Sequence, residues 1–382
     1  MPSLLSRLRL SVAHLDAIAT AKNSIVLLSF ILPISILYLL NPNSFQLTWK
    51  GRAPYFLFLL FFFIELLMAR EKLPKKIFGS IKRKNALAIA ATTAAPTIYV
   101  ISVSFLGMNS NIQELGRLVG ATLLEHWPIS FEYLLFMVFF TTSIQLIYGI
   151  KGLKRFLVSL FFLGATGFFY MIDTFYPYGT ITALQSFVPS TASSATLVLG
   201  WMSYGTLLLS GPDGAVHMLI AGPHGGGHWY TYWPSAGIHS LLIYTLVILF
   251  FIKKAPFSPQ WKVIYASIPR KLRFIAKNKR ISFLLEHRII HTAIMATETL
   301  FIDVLRQVPL CLMLVIGAVG TFIANVLRIV TICTIGSKIG SDAAQLFHNY
   351  YGELYFIAWI IIYLIILLLL ERKIYIRLEE TG

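Results

Sequence analysis

Three short segments hold residue types that could carry out acyl-transfer chemistry: Pro-Ser-Ala-Gly-Ile-His-Ser at 234–240, Ala-Asn-Val-Leu-Arg at 324–328 and His-Asn-Tyr-Tyr-Gly at 348–352. Ser235 offers a hydroxyl nucleophile, Arg328 a permanent cation for a carbonyl or a developing oxyanion, and His348 an acid/base near neutral pH. Each also has a plain structural reading. Ser235 follows Pro234 at the predicted start of a span, where a serine caps first-turn N–H groups. The same free N–H groups would stabilise an anion. Arg328 is predicted to end a span, where a cation complements the helix C-terminus or snorkels to the interface. Asn325 and Arg328, three apart, share one helical face, and a polar pair at that depth is usually functional. A lone interfacial histidine is more often structural than catalytic, so His348 gains weight only beside Ser235. His239, one turn after Ser235, is a second base or an orienting group.

The elements that must position these residues are membrane spans. Of the 382 residues 57% are hydrophobic and 13% charged, and the mean hydropathy is +0.74, which excludes an ordinary soluble domain. A span needs about 20 apolar residues, with about 17 as the lower end. Candidates are 24–41, 53–69, 86–106, 132–149, 153–172, 236–252, 308–327 and 354–370, which predicts an all-α polytopic membrane protein of about eight transmembrane helices. The first run ends in Asn-Pro-Asn with no small-residue cleavage site, so it reads as a retained helix.

The net charge of +16 is explained by the loops and not by nucleic acid. With both termini cytoplasmic, 26 of the 32 lysines and arginines fall inside, including the ten between Lys253 and Arg288. This places all three segments on the extracytoplasmic face of a multi-pass protein of the cell membrane. Segment 191–210 is apolar but broken by Ser194, Gly200, Ser203, Gly205 and Ser210; crossing would export the basic loop, so it reads as an interfacial or re-entrant helix. A short extracytoplasmic strand at 215–220 and a Gly/His loop at 222–228 follow. Residues 1–150 are N-terminal transmembrane helices, and 151–382 form a catalytic membrane core with a basic cytoplasmic insert at about 253–306. That insert suits anionic lipid headgroups.

His224 and His228 have the i, i+4 interval of a zinc motif, but the three glycines between them oppose a helix and the motif's glutamate is missing. No metal and no cofactor is expected. Cys311 and Cys333 form no CxxC pattern and no disulfide framework.

The three segments resemble the exosortase and archaeosortase family of membrane transpeptidases. That family carries a Cys-Ser/Ala-Gly-Ile motif at the start of a span, an Ala-Asn-x-x-Arg motif, and a later His or Arg often followed by Gly. Ala236-Gly237-Ile238 continues the first, 324–328 reproduces the second in full, and His348 with Gly352 and Phe356 resembles the third. Ser235 stands where the family has its nucleophilic cysteine, as in the thaumarchaeosortase-like branch. The resemblance covers about 190–360. It implies catalytic Ser235, Arg328 and His348, supported by Asn325 and His239. It also implies exported protein substrates with a C-terminal transmembrane sorting signal, and a lipid or other amine or hydroxyl acceptor. Two other readings stay open: a serine-type intramembrane endopeptidase without transfer, and a non-catalytic membrane binding or transport protein.

Overall fold

The computed structural model describes residues 23–245 and 288–369, apart from 47–50, 70–82, 177–179, 212–214, 223–224, 234, 238–239, 242–244, 364 and 367–368. The chain divides into two compact units: one of residues 1–239 with 325–354, the other of 240–324 with 355–382.

In the first unit α1 (Asn23–Leu40), α2 (Pro54–Ala69), α3 (Arg83–Phe105), α4 (Met108–Leu118), α5 (Trp127–Leu153) and α6 (Leu157–Phe175) form a helical bundle. Its centre is aromatic: Phe30 meets Phe58, Phe62 and Phe140 edge to face at 5.4–6.2 Å. Helices α5 and α6 approach closely because Gly167 lies under Leu134, where a Cβ would come within 2.8 Å of Cδ2. Two buried carboxylates bind the bundle. Glu65 of α2 accepts from the N–H groups of Val158 and Ser159 at 3.0 and 2.9 Å and from the Ser159 hydroxyl at 2.6 Å. The carboxyl oxygens thereby satisfy first-turn N–H donors of α6. Glu132 of α5 takes Arg52 in a two-point pair, Nε–Oε1 at 2.8 Å and Nη2–Oε2 at 3.0 Å. Burial pulls the Arg52 guanidinium down, but the charge and hydrogen bond of Glu132 outweigh it and leave its pKa raised.

After α6 the chain forms α7 (Val188–Trp201) and an antiparallel meander of β1 (Gly205–Ser210), β2 (Val216–Gly222) and β3 (Gly225–Thr231), in the order β1-β2-β3. Val216, Met218 and Ile220 form the buried face of β2, and α7 packs on β1 and β2. The expected strand at 215–220 is present. The expected helix over 191–210 stops at Trp201, because Ser203 takes a positive φ of 67° and Gly205 opens a strand. The expected loop at 222–228 is largely strand, since the glycines pair in register with Ile220, Ala221 and Gly222.

The long helix α8 (Arg288–Lys338) is followed by α9 (Ser341–Tyr350) and α10 (Leu354–Tyr363). Within the second unit, α10 docks on the N-terminal part of the α8 span through Trp359 Nε1 to the Gly317 carbonyl, 3.1 Å, and Tyr363 Oη to the Met313 carbonyl, 2.6 Å.

Among the described residues five helices are long and apolar enough to cross a membrane: Asn23–Leu40, Ala86–Phe105, Trp127–Leu153, Leu157–Phe175 and Leu312–Lys338. The chain is a helical membrane protein with a small three-stranded sheet. The expectation of eight spans is met at five. Pro54–Ala69 and Leu354–Tyr363 are shorter apolar helices, and most of 236–252 lies outside the described residues, as does most of the basic insert. At 1.5 Å per residue the 16 residues of α2 reach about 24 Å, less than the hydrocarbon thickness of about 30 Å.

Candidate functional site

The centre of the site is the turn at 235–237, which follows β3 and the fully buried Trp233. The turn is held from several elements. Gln185 accepts from the Trp233 N–H at 3.1 Å, and the Ala236 N–H donates to the Tyr232 carbonyl at 2.8 Å. The two polar residues of the Ala-Asn-Val-Leu-Arg segment act on consecutive carbonyls. Asn325 Nδ2 donates to the carbonyl of Ala236, and Arg328 Nη2 donates to that of Ser235 at 3.1 Å. Thr191 of α7 adds a longer donation to the Ala236 carbonyl at 3.5 Å. The i, i+3 spacing thus grips one turn by two neighbouring peptide groups.

Gly237 explains the small residue in the first segment. Its φ of +81° disfavours other residues, and a Cβ there would overlap the Asn325 carboxamide. Gly352 does similar work in the third segment, where a Cβ would come within 2.8 Å of the His348 carbonyl and 3.5 Å of Arg328 Cδ.

Arg328 is 2% exposed and pairs through Nη1 with Glu353 Oε1 at 2.7 Å. The expectation that it ends a span is corrected: α8 runs ten residues further to Lys338, since no proline follows Arg328 and the left-handed turn comes only at Gly340, φ +124°. A C-terminal dipole partner therefore does not account for it. Ser235 likewise does not open a helix among the described residues; it is half-buried in a turn, and helical geometry resumes at Ser240. The helix-cap reading loses its geometry, and so does an anion site built on a helix start.

A cavity of about 220 Å3 joins the three segments, with Ser235, Arg328 and His348 all in its lining. Its other walls are Met218, Trp229, Tyr230 and Thr231 of the sheet, Ile329, Ile332 and Cys333 of α8, and Ala344 and Gln345 of α9. The sheet reaches α8 because Gly336 leaves room for the Trp229 ring; a Cβ there would overlap it. Ala344, fully buried, seats α9 and so carries the half-buried His348 to the cavity. A hydroxyl, an imidazole and a fixed guanidinium around one small cavity can serve nucleophilic attack on a carbonyl.

His239 and His224 lie outside the described residues. His217, His228 and Tyr230 cluster with ring centroids 4.5–5.2 Å apart, and of the three only Tyr230 also borders the cavity. Among the described residues no group of three or more His, Cys, Asp or Glu side chains is arranged to hold a metal ion.

Sequence reasoning missed Glu353, Gln185 and Thr191. Glu353 carried a usable signal, since a carboxylate beside the motif glycine at the edge of an apolar run calls for a cation, and Arg328 was at hand. Gln185 and Thr191 carried none, since they act from a segment with no chemical motif. No family model, curated protein or solved structure matches the chain.

Proposed function

We propose that the protein is a membrane transpeptidase of exosortase-archaeosortase type, thaumarchaeosortase-like in using serine. It cleaves the C-terminal sorting signal from exported proteins and transfers the remaining protein to a lipid or other amine or hydroxyl acceptor. The observation that carries this reading is the convergence of Ser235, Arg328 and His348 on one cavity. The support is chemical complementarity and motif resemblance together.

In this mechanism Ser235 Oγ attacks the scissile carbonyl carbon while its proton passes to His348. The carbonyl oxygen becomes an oxyanion, stabilised by the charge of Arg328. Collapse breaks the C–N bond, and the leaving amine takes the proton from the imidazolium. The resulting ester is attacked by the acceptor, whose proton goes to His348 as Ser235 Oγ leaves and is reprotonated. Arg328 spends one N–H on the Ser235 carbonyl and one on Glu353, so its role is to fix the nucleophile's backbone as well as to supply field.

The positive-inside distribution of lysine and arginine supports an orientation with both termini cytoplasmic and the site extracytoplasmic in the cell membrane. A substrate's transmembrane tail would then lie among lipids with its scissile bond at the outer interface.

Intact-mass analysis of a co-expressed substrate candidate tests the reading, with wild type and Ser235→Ala side by side. Transfer adds the acceptor's mass to the cleaved product. A product carrying only water would make the protein an endopeptidase, and unchanged processing by Ser235→Ala would remove the mechanism.

A further inference from the structure

A second cavity, built from residues that the reaction does not use, opens at the ends of α1 and α3. It has a volume of about 360 Å3 and is lined by Leu37, Leu40, Asn41, Arg52, Val103, Ser104, Phe105 and Asn109. That is within the range of about 300–1,000 Å3 typical of small-molecule sites.

Its base is a built donor site. Arg52 is 8% exposed. Its Nε and one Nη2 hydrogen go to Glu132, and one Nη1 hydrogen goes to Ser44 Oγ at 2.8 Å. A guanidinium has five N–H groups, so two remain, one on each Nη. The peptide that carries Arg52 is fixed as well: the Gly51 carbonyl accepts from Tyr133 Oη at 3.1 Å, and Arg52 N–H donates to the Ser44 carbonyl at 2.8 Å. Asn41, Ser104 and Asn109 add donors at the mouth, and the lining contains no carboxylate.

The surroundings decide what such a donor set receives. Helices α1 and α3 have spanning length and end here, at Leu40 and Phe105. Helix α4 follows at once and is amphipathic, burying Ile112 and Gly116 while exposing Leu115 and Leu118. An amphipathic helix directly after a span lies at the bilayer interface. Leu40 and Phe105 at the rim are 47% and 64% exposed, so apolar surface borders the donors.

We propose that this cavity is a phospholipid site, in which headgroup phosphate oxygens accept from the spare Arg52 N–H groups and from Asn41 and Asn109, while the acyl chains run past Leu40 and Phe105. The ligand is an acceptor-rich headgroup on an apolar tail. Glu132 already neutralises Arg52, so hydrogen-bond geometry and not net charge selects it. The bound lipid ties the ends of α1 and α3 to the buried 51–53 peptide.

The test is native mass spectrometry of the full chain released from micelles containing phosphatidylglycerol, paired with thermal unfolding in the same detergent. Wild type is expected to retain one phosphatidylglycerol and to unfold at a higher temperature when the lipid is present. The double variant Asn41→Leu, Asn109→Leu keeps the Arg52–Glu132 pair and should fold, but its retention should drop about tenfold, the equivalent of one hydrogen bond to a charged oxygen. Arg52→Lys should lose retention too, because an ammonium lacks the fork that serves Glu132 and phosphate together. Retention by the double variant equal to wild type would overturn the site, as would no retention by wild type. Equal thermal protection by inorganic phosphate without lipid would overturn the lipid as ligand.

Discussion

The two buried arginine–carboxylate pairs of the first unit use the same chemistry for different ends. Arg52–Glu132 is a two-point pair with side chains 10% and 1% exposed, joining a peptide between α1 and α2 to the N-terminal part of α5 at one end of the bundle. Arg328–Glu353 has a one-point contact at 2.7 Å with side chains 3% and 16% exposed. There the guanidinium also holds the Ser235 carbonyl in the wall of a cavity. The first pair secures helices; the second secures the backbone of Ser235, the proposed nucleophile. Burial alone does not tell a structural ion pair from a functional one. What distinguishes them is what each guanidinium holds besides its carboxylate: the Ser44 hydroxyl between α1 and α2 in one case, the Ser235 backbone carbonyl in the other.

Breaking the first pair should have the largest effect on folding. Glu132→Ala leaves Arg52 buried without its counter-charge, a loss of about 3–5 kcal/mol for pairs of this kind. Thermal unfolding in detergent should show a large fall, and processing should decline only as the folded fraction does. A small change in unfolding temperature would mean that water reaches Arg52 and that the comparison is drawn too sharply.

Gly237→Ala comes next. It combines a φ of +81° with overlap on Asn325, and backbone strain of this kind costs about 1–3 kcal/mol. The expected result is a folded protein with a displaced turn, so processing should fall by more than the change in unfolding temperature explains. Equal loss of both would show that Gly237 serves only the fold.

Glu353→Gln sharpens the contrast, since it keeps a hydrogen-bond acceptor for Arg328 and removes the charge. The cost should be about 1–3 kcal/mol, below that of Glu132→Ala because Glu353 is the more exposed. Processing should drop by about tenfold or more if Arg328 has to stay on the Ser235 carbonyl. Glu353→Asp should recover less than Glu353→Gln, because a shorter arm withdraws the carboxylate from Nη1. Rates from the co-expression assay, normalised to folded protein, check this ordering.

The residues explain why one part of this picture was legible in the sequence and another was not. The helical membrane class was readable because apolar runs are local. The pairing of Asn325 with Arg328 was readable because the 3.6-residue period puts them on one face. Yet what they hold, the carbonyls of Ala236 and Ser235 about ninety positions earlier, is a tertiary fact. The end of α8 was misjudged because Arg328 looked like a terminator of hydrophobicity, while the β-branched run Ile329, Val330, Thr331 and Ile332 continues the helix past it. Arg52 and Glu132 lie 80 residues apart, and neither belongs to a motif. In the sequence Arg52 is only one of the six basic residues that the charge bias leaves off the cytoplasmic side, yet it is buried and ties the peptide between α1 and α2 to α5. Strands β1 and β3 were hidden for another reason: the Ser/Gly pattern of 203–210 and the triple glycine of 225–227 resemble loops until β2 supplies their partner.

The smallest expected effect on stability belongs to Ser235→Ala, and there the two pairs part most clearly. Ser235 is half-buried in a turn that is gripped through its backbone carbonyl, and it is not a helix cap. Removing the hydroxyl should therefore change stability by less than about 0.5 kcal/mol, as for substitutions away from caps and cores. The Arg328 contact to the Ser235 carbonyl survives, since it uses the main chain. If Ser235 is the nucleophile, processing should nonetheless vanish, giving a fully folded and inactive protein, the opposite of Glu132→Ala. Ser235→Cys supplies the complementary arm. A thiol ionises more readily than a hydroxyl, so it depends less on a base. The Cys variant should retain activity and should lose less than the Ser protein when His348→Ala is added. Equal dependence on His348 in both backgrounds would make that histidine a wall of the cavity and not its proton carrier.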